Sequence, residues 1–521
     1  MERPGGNVVS NGLKTVKSVV IVGGGSSGWM AAAYLSHVLY DIDITLIESP
    51  STPIIGVGEA TIPFIRSFMR RIGLGDDREW MPKCDATFKT GILFENWYEK
   101  GDTYWHPLFE DLDYLDGPTH SGHCWLYLHR GNHPDFQSRQ SFYEAAFSTA
   151  TVNAANNRIP ASREYAYHFD VHLFVELLKS AAPGVRHLSD HVLSAKLNEQ
   201  GEITQLVTQM HGELTADLYI DCTGFRAHLI GQVSPGRQFQ SYAGSLLCDS
   251  AVVLRMPYES EAEKRRQMHP FVKASAQTAG WVWTIPLYSR VSSGYVYSSR
   301  FCSPDEAELE LRRYWGEART ANLESLRLKF ETGKLDRLWV KNCIAVGLSG
   351  GFIEPLESTG LAITQLGVEM LASMLDARYY DEKMIERYNA YLEKFYRDVM
   401  QFFIAHYCFS SRQDSEFWRA ATAETVIPDD LRARLDVFRR LGPSFSTKGT
   451  SEVWMFRDLS WFSVLLGMNF DFETPVVSSA ALAAFNRLLP DRRMAVQDLL
   501  SRLPNHYDYL SGQGRSSLIK S

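Results

Sequence analysis

No uninterrupted apolar run in this sequence approaches the roughly 18 residues that span a bilayer, and the polar, glycine-rich start MERPGGNVVSNG has no secretory apolar stretch. Basic residues are in deficit: 53 Lys and Arg stand against 61 Asp and Glu, a formal charge of −8. That balance argues against sequence-independent nucleic-acid binding, which neutralises phosphates with cations. Cysteine is sparse and scattered, with seven residues at 84, 124, 222, 248, 302, 343 and 408 and no C-x-x-C. An odd number without paired spacing argues against a disulfide framework or a zinc ribbon and fits the reduced thiols of a cytoplasmic protein. Internal repeats, low-complexity segments and obvious linkers are also missing. With 45% hydrophobic and 22% charged residues the bulk of the chain is neither disordered nor fibrous. Tryptophan is plentiful: there are twelve, several in close pairs.

Residues 1–16 read as a mobile tail. KSVVIVG (17–23) is a β-branched run of the kind found in buried parallel strands. A glycine-rich turn and the apolar stretch from Trp29 to Leu35, read as a helix, follow it, and DIDITLIE (41–48) reads as the next strand. ADLYIDCTGF (216–225) and NCIAVGLSGGF (342–352) repeat the strand-then-glycine character, the second leading into a helix-like run from Leu361 to Asp376. Long amphipathic patterns such as 387–407 dominate thereafter. The expected fold is α/β: a Rossmann-type, FAD-dependent monooxygenase-like core over 17–365, interleaved with substrate-side segments, and a mainly α-helical cap over 366–521.

Gly23, Gly25 and Gly28 supply G-x-G-x-x-G between strand and helix, and Trp29 follows. Such glycines permit the tight turn, the approach of a pyrophosphate to the backbone, and close strand–helix packing. The phosphates then lie at the positive helix N-terminus. Glu48 ends the second strand twenty residues after Gly28, where a carboxylate can accept hydrogen bonds from a ribose. FAD and NAD share this fingerprint. The 216–230 segment with Asp221, and the 342–360 segment with Gly347 and Leu348, resemble the later nucleotide contacts of FAD-dependent monooxygenases. Only one G-x-G-x-x-G is present, so the chain shows no second site for a nicotinamide that would reduce its own flavin.

GWVWTIPL (280–287) puts Trp281 and Trp283 on one face of a strand, as core packing or as an aromatic ledge beneath a flavin. Beside G-x-G-x-x-G-W, however, G-W-x-W-x-I-P resembles the signature pair of the flavin-dependent halogenases, the tryptophan halogenase family. The resemblance extends through VGEATIP (57–63), ATFKTGILFENW (86–97), YHFD (167–170), DCTGF (221–225) and GGFIEPLESTG (350–360), covering roughly residues 17 to 420.

Lys89 lies inside an apolar-aromatic strand pattern, in which alternation sets Phe88, Ile92 and Phe94 against Lys89 and Gly91. Most lysines are solvated, but a desolvated ammonium has a lowered pKa and reacts as an amine more readily. Glu357, in PLESTG, suits a helix start on general grounds. The resemblance implies more: Lys89 engages hypohalous acid and presents electrophilic halogen to an aromatic ring. It gives Glu357 the stabilisation of the cationic ring or the polarisation of the halogenating species, and it does not favour the neighbouring Glu354. Thr359 and Gly360 match the backbone amides that hold halide. FAD used as FADH2, chloride or bromide as co-substrate, and a separate NAD(P)H-dependent flavin reductase are likewise implied.

The segment 444–470 does not reproduce the tyrosine-, glutamate- and phenylalanine-rich pattern with which tryptophan-specific members hold their substrate. An electron-rich aromatic of indole type is therefore the expected small-molecule partner, with no nucleic acid and no membrane. Trp454 and Trp461 line its pocket or fill a helical core, and His106 is a further candidate for lining. His106, His120, Cys124, His123, His129 and His133 match no zinc spacing, so no metal is expected. The alternatives are an FAD-dependent aromatic hydroxylase and a catalytically silent flavin-binding redox sensor.

Overall fold

Val19, Val20, Ile21 and Val22 are all buried, as a β-branched strand covered on both faces should be. In the computed structural model, which describes residues 13–56, 58–108, 112–146, 155–160, 164–444 and 455–512, Ser18–Val22 sits inside a six-stranded sheet. The order across it is Arg186–Ser189, Asp43–Glu48, Ser18–Val22, Leu218–Asp221, Cys343–Ala345 and Trp339–Val340. All neighbours run parallel except the last pair. Strands from three distant stretches thus end side by side, at the edge where an open α/β sheet binds its ligand. The Ser26–Val38 helix packs on this sheet and against the Gly360–Leu375 helix.

A seven-stranded sheet forms the second layer, with Gly280–Pro286 paired to Arg290–Tyr297 on one side and Phe271–Ala276 on the other. Gly91–Glu95 and Thr103–Pro107 continue it. The strand expected to carry Lys89 is in fact two. Thr87–Lys89 pairs with Ala166–Phe169 in a small sheet, and Gly91–Glu95 joins the large one. The break falls at Thr90, whose N–H and hydroxyl both donate to Pro270 O, at 2.8 and 2.9 Å. Two-faced alternation is lost there, and every residue from Ala86 to Ile92 is buried.

The C-terminal part is helical. It includes the 27-residue Glu382–Cys408 helix, capped by Asp381 and packed on both Gly360–Leu375 and Asp458–Gly467. Lys14–Thr15, within the stretch read as a tail, pairs with Tyr379–Tyr380 and is ordered by that bridge. Among the described residues no helix is long and apolar enough to cross a membrane.

Candidate active site

The Ser26–Val38 helix begins without a side-chain cap at Gly25 and without an acidic residue in its first turn, so no side chain caps its first N–H groups. Gly25 has open space where a Cβ would stand. Gly28 is required by packing, because a Cβ there would meet Gly23 O at 1.8 Å. Gly347 comes as close to the same helix start: its φ is +68° and a Cβ would sit 2.1 Å from Ser27 Oγ. Glu48 faces this turn, with Oε1 2.8 Å from His187 Nε2 and 3.2 Å from Lys179 Nζ, and Oε2 accepting from Trp29 Nε1 at 3.4 Å. A helix start without a side-chain cap, closely approached by Gly347, has the chemistry to receive the phosphates of a dinucleotide.

Asp221 stands differently from its neighbours. Its buried carboxylate accepts from Thr223 N and Oγ1, Leu229 N, Ile230 N and Ser349 Oγ, at 2.7–3.2 Å. Saturated in this way, it ties the 223–230 turn to the 347–349 turn. Leu348 lines a cavity of about 610 Å³ together with Phe225, Arg237, Phe239 and Phe352.

A tight turn over Pro355–Glu357 ends in Ser358, held at φ +59°, a backbone strain of the sort concentrated at functional sites. Ser358 Oγ accepts from Lys89 Nζ at 2.8 Å, and Thr61 O accepts from the same nitrogen at 2.9 Å. Lys89 is fully buried. That burial lowers its ammonium to about 7, against the opposing charge of Glu357. Glu357 is equally buried, which alone would raise its carboxyl. The charge and hydrogen bond of His106, with Nδ1 2.6 Å from Oε2, together with His406, outweigh burial and bring Glu357 down to about 2. His406 Nε2 lies 3.0 Å from Oε1. Near pH 7 Lys89 is therefore poised between ammonium and amine, within the field of a carboxylate held ionised.

Trp281 and Trp283 share a strand face with ring centres 6.4 Å apart. Together with Glu59, Phe352, Ser358 and Gly360 they line a second cavity of about 100 Å³. Phe352 borders both cavities, and Ser358 links the smaller one to Lys89. Thr359 precedes the Gly360–Leu375 helix and has no side-chain cap bond of its own. Glu354, set aside in the sequence, is buried under the tryptophans, accepting from Trp281 Nε1 at 3.1 Å and Tyr407 OH at 2.9 Å. Burial raises its carboxyl to about 7 despite those bonds. His406 and Tyr407 escaped sequence reasoning. Their one signal was a histidine inside the aromatic run FFIAHY, at helical spacing from Phe402.

The model of the family described as tryptophan halogenase matches residues 18–482. The chain belongs to the tryptophan halogenase family. It is a flavin-dependent halogenase. A tryptophan 6-halogenase of Streptomyces toxytricini is 34% identical over 95% of this chain and 98% of its own length. A tryptophan 7-halogenase of Lentzea aerocolonigenes is 31% identical over 96% and 99%. The crystal structure of the Streptomyces toxytricini enzyme superposes with a TM-score of 0.86 at 35% identity, covering 95% of this chain and 99% of that one. A flavin-dependent halogenase from Xanthomonas campestris gives 0.84 at 33%, over 96% and 98%.

In this halogenase the remaining candidates separate clearly. His106 joins the buried cluster through Glu357. Trp461 is fully buried, edge-on to Phe402 at 5.0 Å and beneath the Arg434 guanidinium. Trp454 lies outside the described residues. His120 and His123 stack on each other at 3.8 Å and bond through Nε2 to Pro443 O and Leu441 O, which fixes the 441–443 segment. Among the described residues no group of three His, Cys, Asp or Glu side chains is placed to hold a metal ion.

Proposed function

We propose that this halogenase uses FADH2, oxygen and chloride or bromide to halogenate an electron-rich aromatic of indole type, with Lys89 presenting the halogen. The observation that carries the reading is the buried Lys89, tied to Ser358 at the end of a small cavity walled by Trp281 and Trp283. Gly23, Gly25, Gly28, Trp29, Glu48 and Leu348 hold the FAD, with residues 17–365 as its core. Asp221 and Gly347 set the shape of that site from behind. Residues 366–521 cap the substrate side. When bound, reduced flavin with oxygen and halide supplies hypohalous acid.

Everything else falls to the chain. Thr359 and Gly360 offer backbone N–H groups to the halide at a helix start. The Trp281 and Trp283 rings wall the route between the cavities and keep a substrate ring on the lysine side. Lys89 keeps a proton to donate, or an amine to halogenate, because its pKa sits near the operating pH. Glu357, held ionised, faces the positive charge that develops on the ring during electrophilic substitution. A separate NAD(P)H-dependent reductase supplies FADH2 in the cytoplasm. The relatives' names specify tryptophan, and the substrate here shares its indole.

The test is Lys89→Ala assayed for product and for FAD binding. Halogenation should fall at least about 100-fold, the scale of a positioned proton-transfer group, while FAD affinity stays unchanged. A fully active variant would remove the lysine from the mechanism.

A further inference from the structure

The two indoles of the wall are held by different means. Trp283 packs directly over Gly294, and its Nε1 is buried without a hydrogen-bond partner. Trp281 is tied through its one polar atom: Nε1 donates to Glu354 Oε2 at 3.1 Å. The acceptor is itself anchored. Tyr407, on the Glu382–Cys408 helix, donates to the same oxygen at 2.9 Å, and Cys248 Sγ lies 3.8 Å from the tyrosine hydroxyl. Glu354 has no exposed surface. Its Oε1 is left without a hydrogen bond, although the weakly donating Cys248 thiol is close enough to act on the carboxyl. Burying a carboxyl with one oxygen unbonded costs stability, and a well-packed apolar side chain in such a place is often neutral or better. Packing alone therefore does not account for a glutamate here. What the glutamate adds is a link between segments far apart in the chain. It joins the Gly280–Pro286 strand to the long helix and, through its own backbone, to the Pro355–Glu357 turn and the Gly360–Leu375 helix behind it.

We infer that Glu354 is a positioning residue of the site: it pins the Trp281 ring to the turn that carries Ser358 and the amides proposed to hold halide, so that wall and turn keep one spacing. The inference rests on the reading, given above, that hypohalous acid passes the tryptophan wall to Lys89. Trp281 then borders the passage, and Ser358, four residues beyond Glu354, holds Lys89 at its end. Both line the cavity of about 100 Å³. In a passage of that size about an ångström of ring movement decides whether the acid is guided to the lysine or lost to solvent.

Glu354→Leu removes the acceptor and keeps much of the bulk, whereas Glu354→Gln restores an acceptor for the indole. Each protein is supplied with FADH2, oxygen, bromide and an indole substrate, and is scored for brominated indole and for free hypobromous acid caught by a small diketone in solution. In Glu354→Leu the ratio of brominated indole to trapped acid should fall at least about fivefold, the scale of one hydrogen bond. FAD affinity should stay within about twofold of the parent, and Glu354→Gln should recover most of the parent ratio. A fold that is merely destabilised lowers both products together and leaves their ratio unmoved. An unmoved ratio in Glu354→Leu that still binds FAD would overturn the inference. The unsubstituted protein without flavin supplies a second readout that depends on no variant at position 354. By 15N NMR the Trp281 indole N–H should exchange with deuterium at least about tenfold more slowly than that of Trp283, each signal assigned by its absence from the Phe variant. Equal rates would also overturn it. If the unsubstituted protein brominates no indole, the proposed function fails and this inference with it; if it does, and the ratio holds in Glu354→Leu, Glu354 alone is misassigned.

Discussion

A lysine ammonium with no exposed surface opposes folding wherever it stays protonated. The pKa of Lys89 lies near 7 in the folded chain against an ordinary 10.5, so the unfolded chain binds more protons between those values and stability rises with pH across that window. Lys89→Met, which keeps the stem and removes the charge, should raise Tm at pH 7 and raise it less at pH 10, as differential scanning fluorimetry would show. Glu357 has the opposite sign. Its pKa is depressed to about 2, so it stabilises the fold above the ordinary carboxylate range, and that contribution is lost as pH falls from about 4.5 towards 2. Glu357→Gln should therefore lower Tm at pH 7 and narrow the gap to the parent under acid conditions. The two residues proposed to carry the chemistry thus move stability in contrary directions, as expected of a site in which function has displaced packing.

The element that carries most of the site is the Gly280–Pro286 strand together with the turn at 353–360. Gly294, on the neighbouring strand, lies directly under Trp283: a Cβ there would meet the indole at 2.2 Å. Gly294→Ala should displace the ring without deleting it, destabilising by about 1–3 kcal/mol through overpacking and lowering halogenation while FAD still binds. Unchanged product formation would show that the indole does not shape the route. The glycine turn before the Ser26–Val38 helix behaves in the reverse manner. Gly28→Ala should weaken FAD binding at least about tenfold, measured by flavin fluorescence, because the added methyl forces Gly23 away from the helix.

These elements were legible in different degrees. Period-two spacing gave Trp281 and Trp283 a common face, and the first strand, glycines and Glu48 came in order, because each pattern is local. The Lys89 strand was misread as continuous because Thr90 is diverted by Pro270, 180 residues away, a partner that alternation does not encode. Glu354 was set aside and His406 missed for the same reason: their contacts with Trp281, Tyr407 and Glu357 are long-range.

For the whole molecule, the small three-stranded sheet, the large mixed sheet, the 355–357 turn and the helical part each contribute to one buried cluster. Lys89, His106, Glu357 and His406 come from four segments. Even the C-terminal end takes part. His506 Nε2 accepts from Phe88 N at 3.2 Å while its Nδ1 donates to Met268 O at 2.9 Å, so the last described helix braces the residue beside the lysine. The absences that opened the sequence analysis excluded partners rather than naming a reaction. Three of the twelve tryptophans, Trp29, Trp281 and Trp283, carried the reading further than any bulk property.

The central claim is that electrophilic halogen, and not oxygen, is delivered to an aromatic ring on the lysine side of the tryptophan wall. Its most direct test supplies the protein with FAD, NADH, a flavin reductase, oxygen, and chloride or bromide, offers tryptophan and a panel of indoles, and reads the products by mass spectrometry. A monohalogenated product with the matching isotope pattern, absent from Lys89→Ala, is the predicted result. Hydroxylated product without halogen would contradict the account.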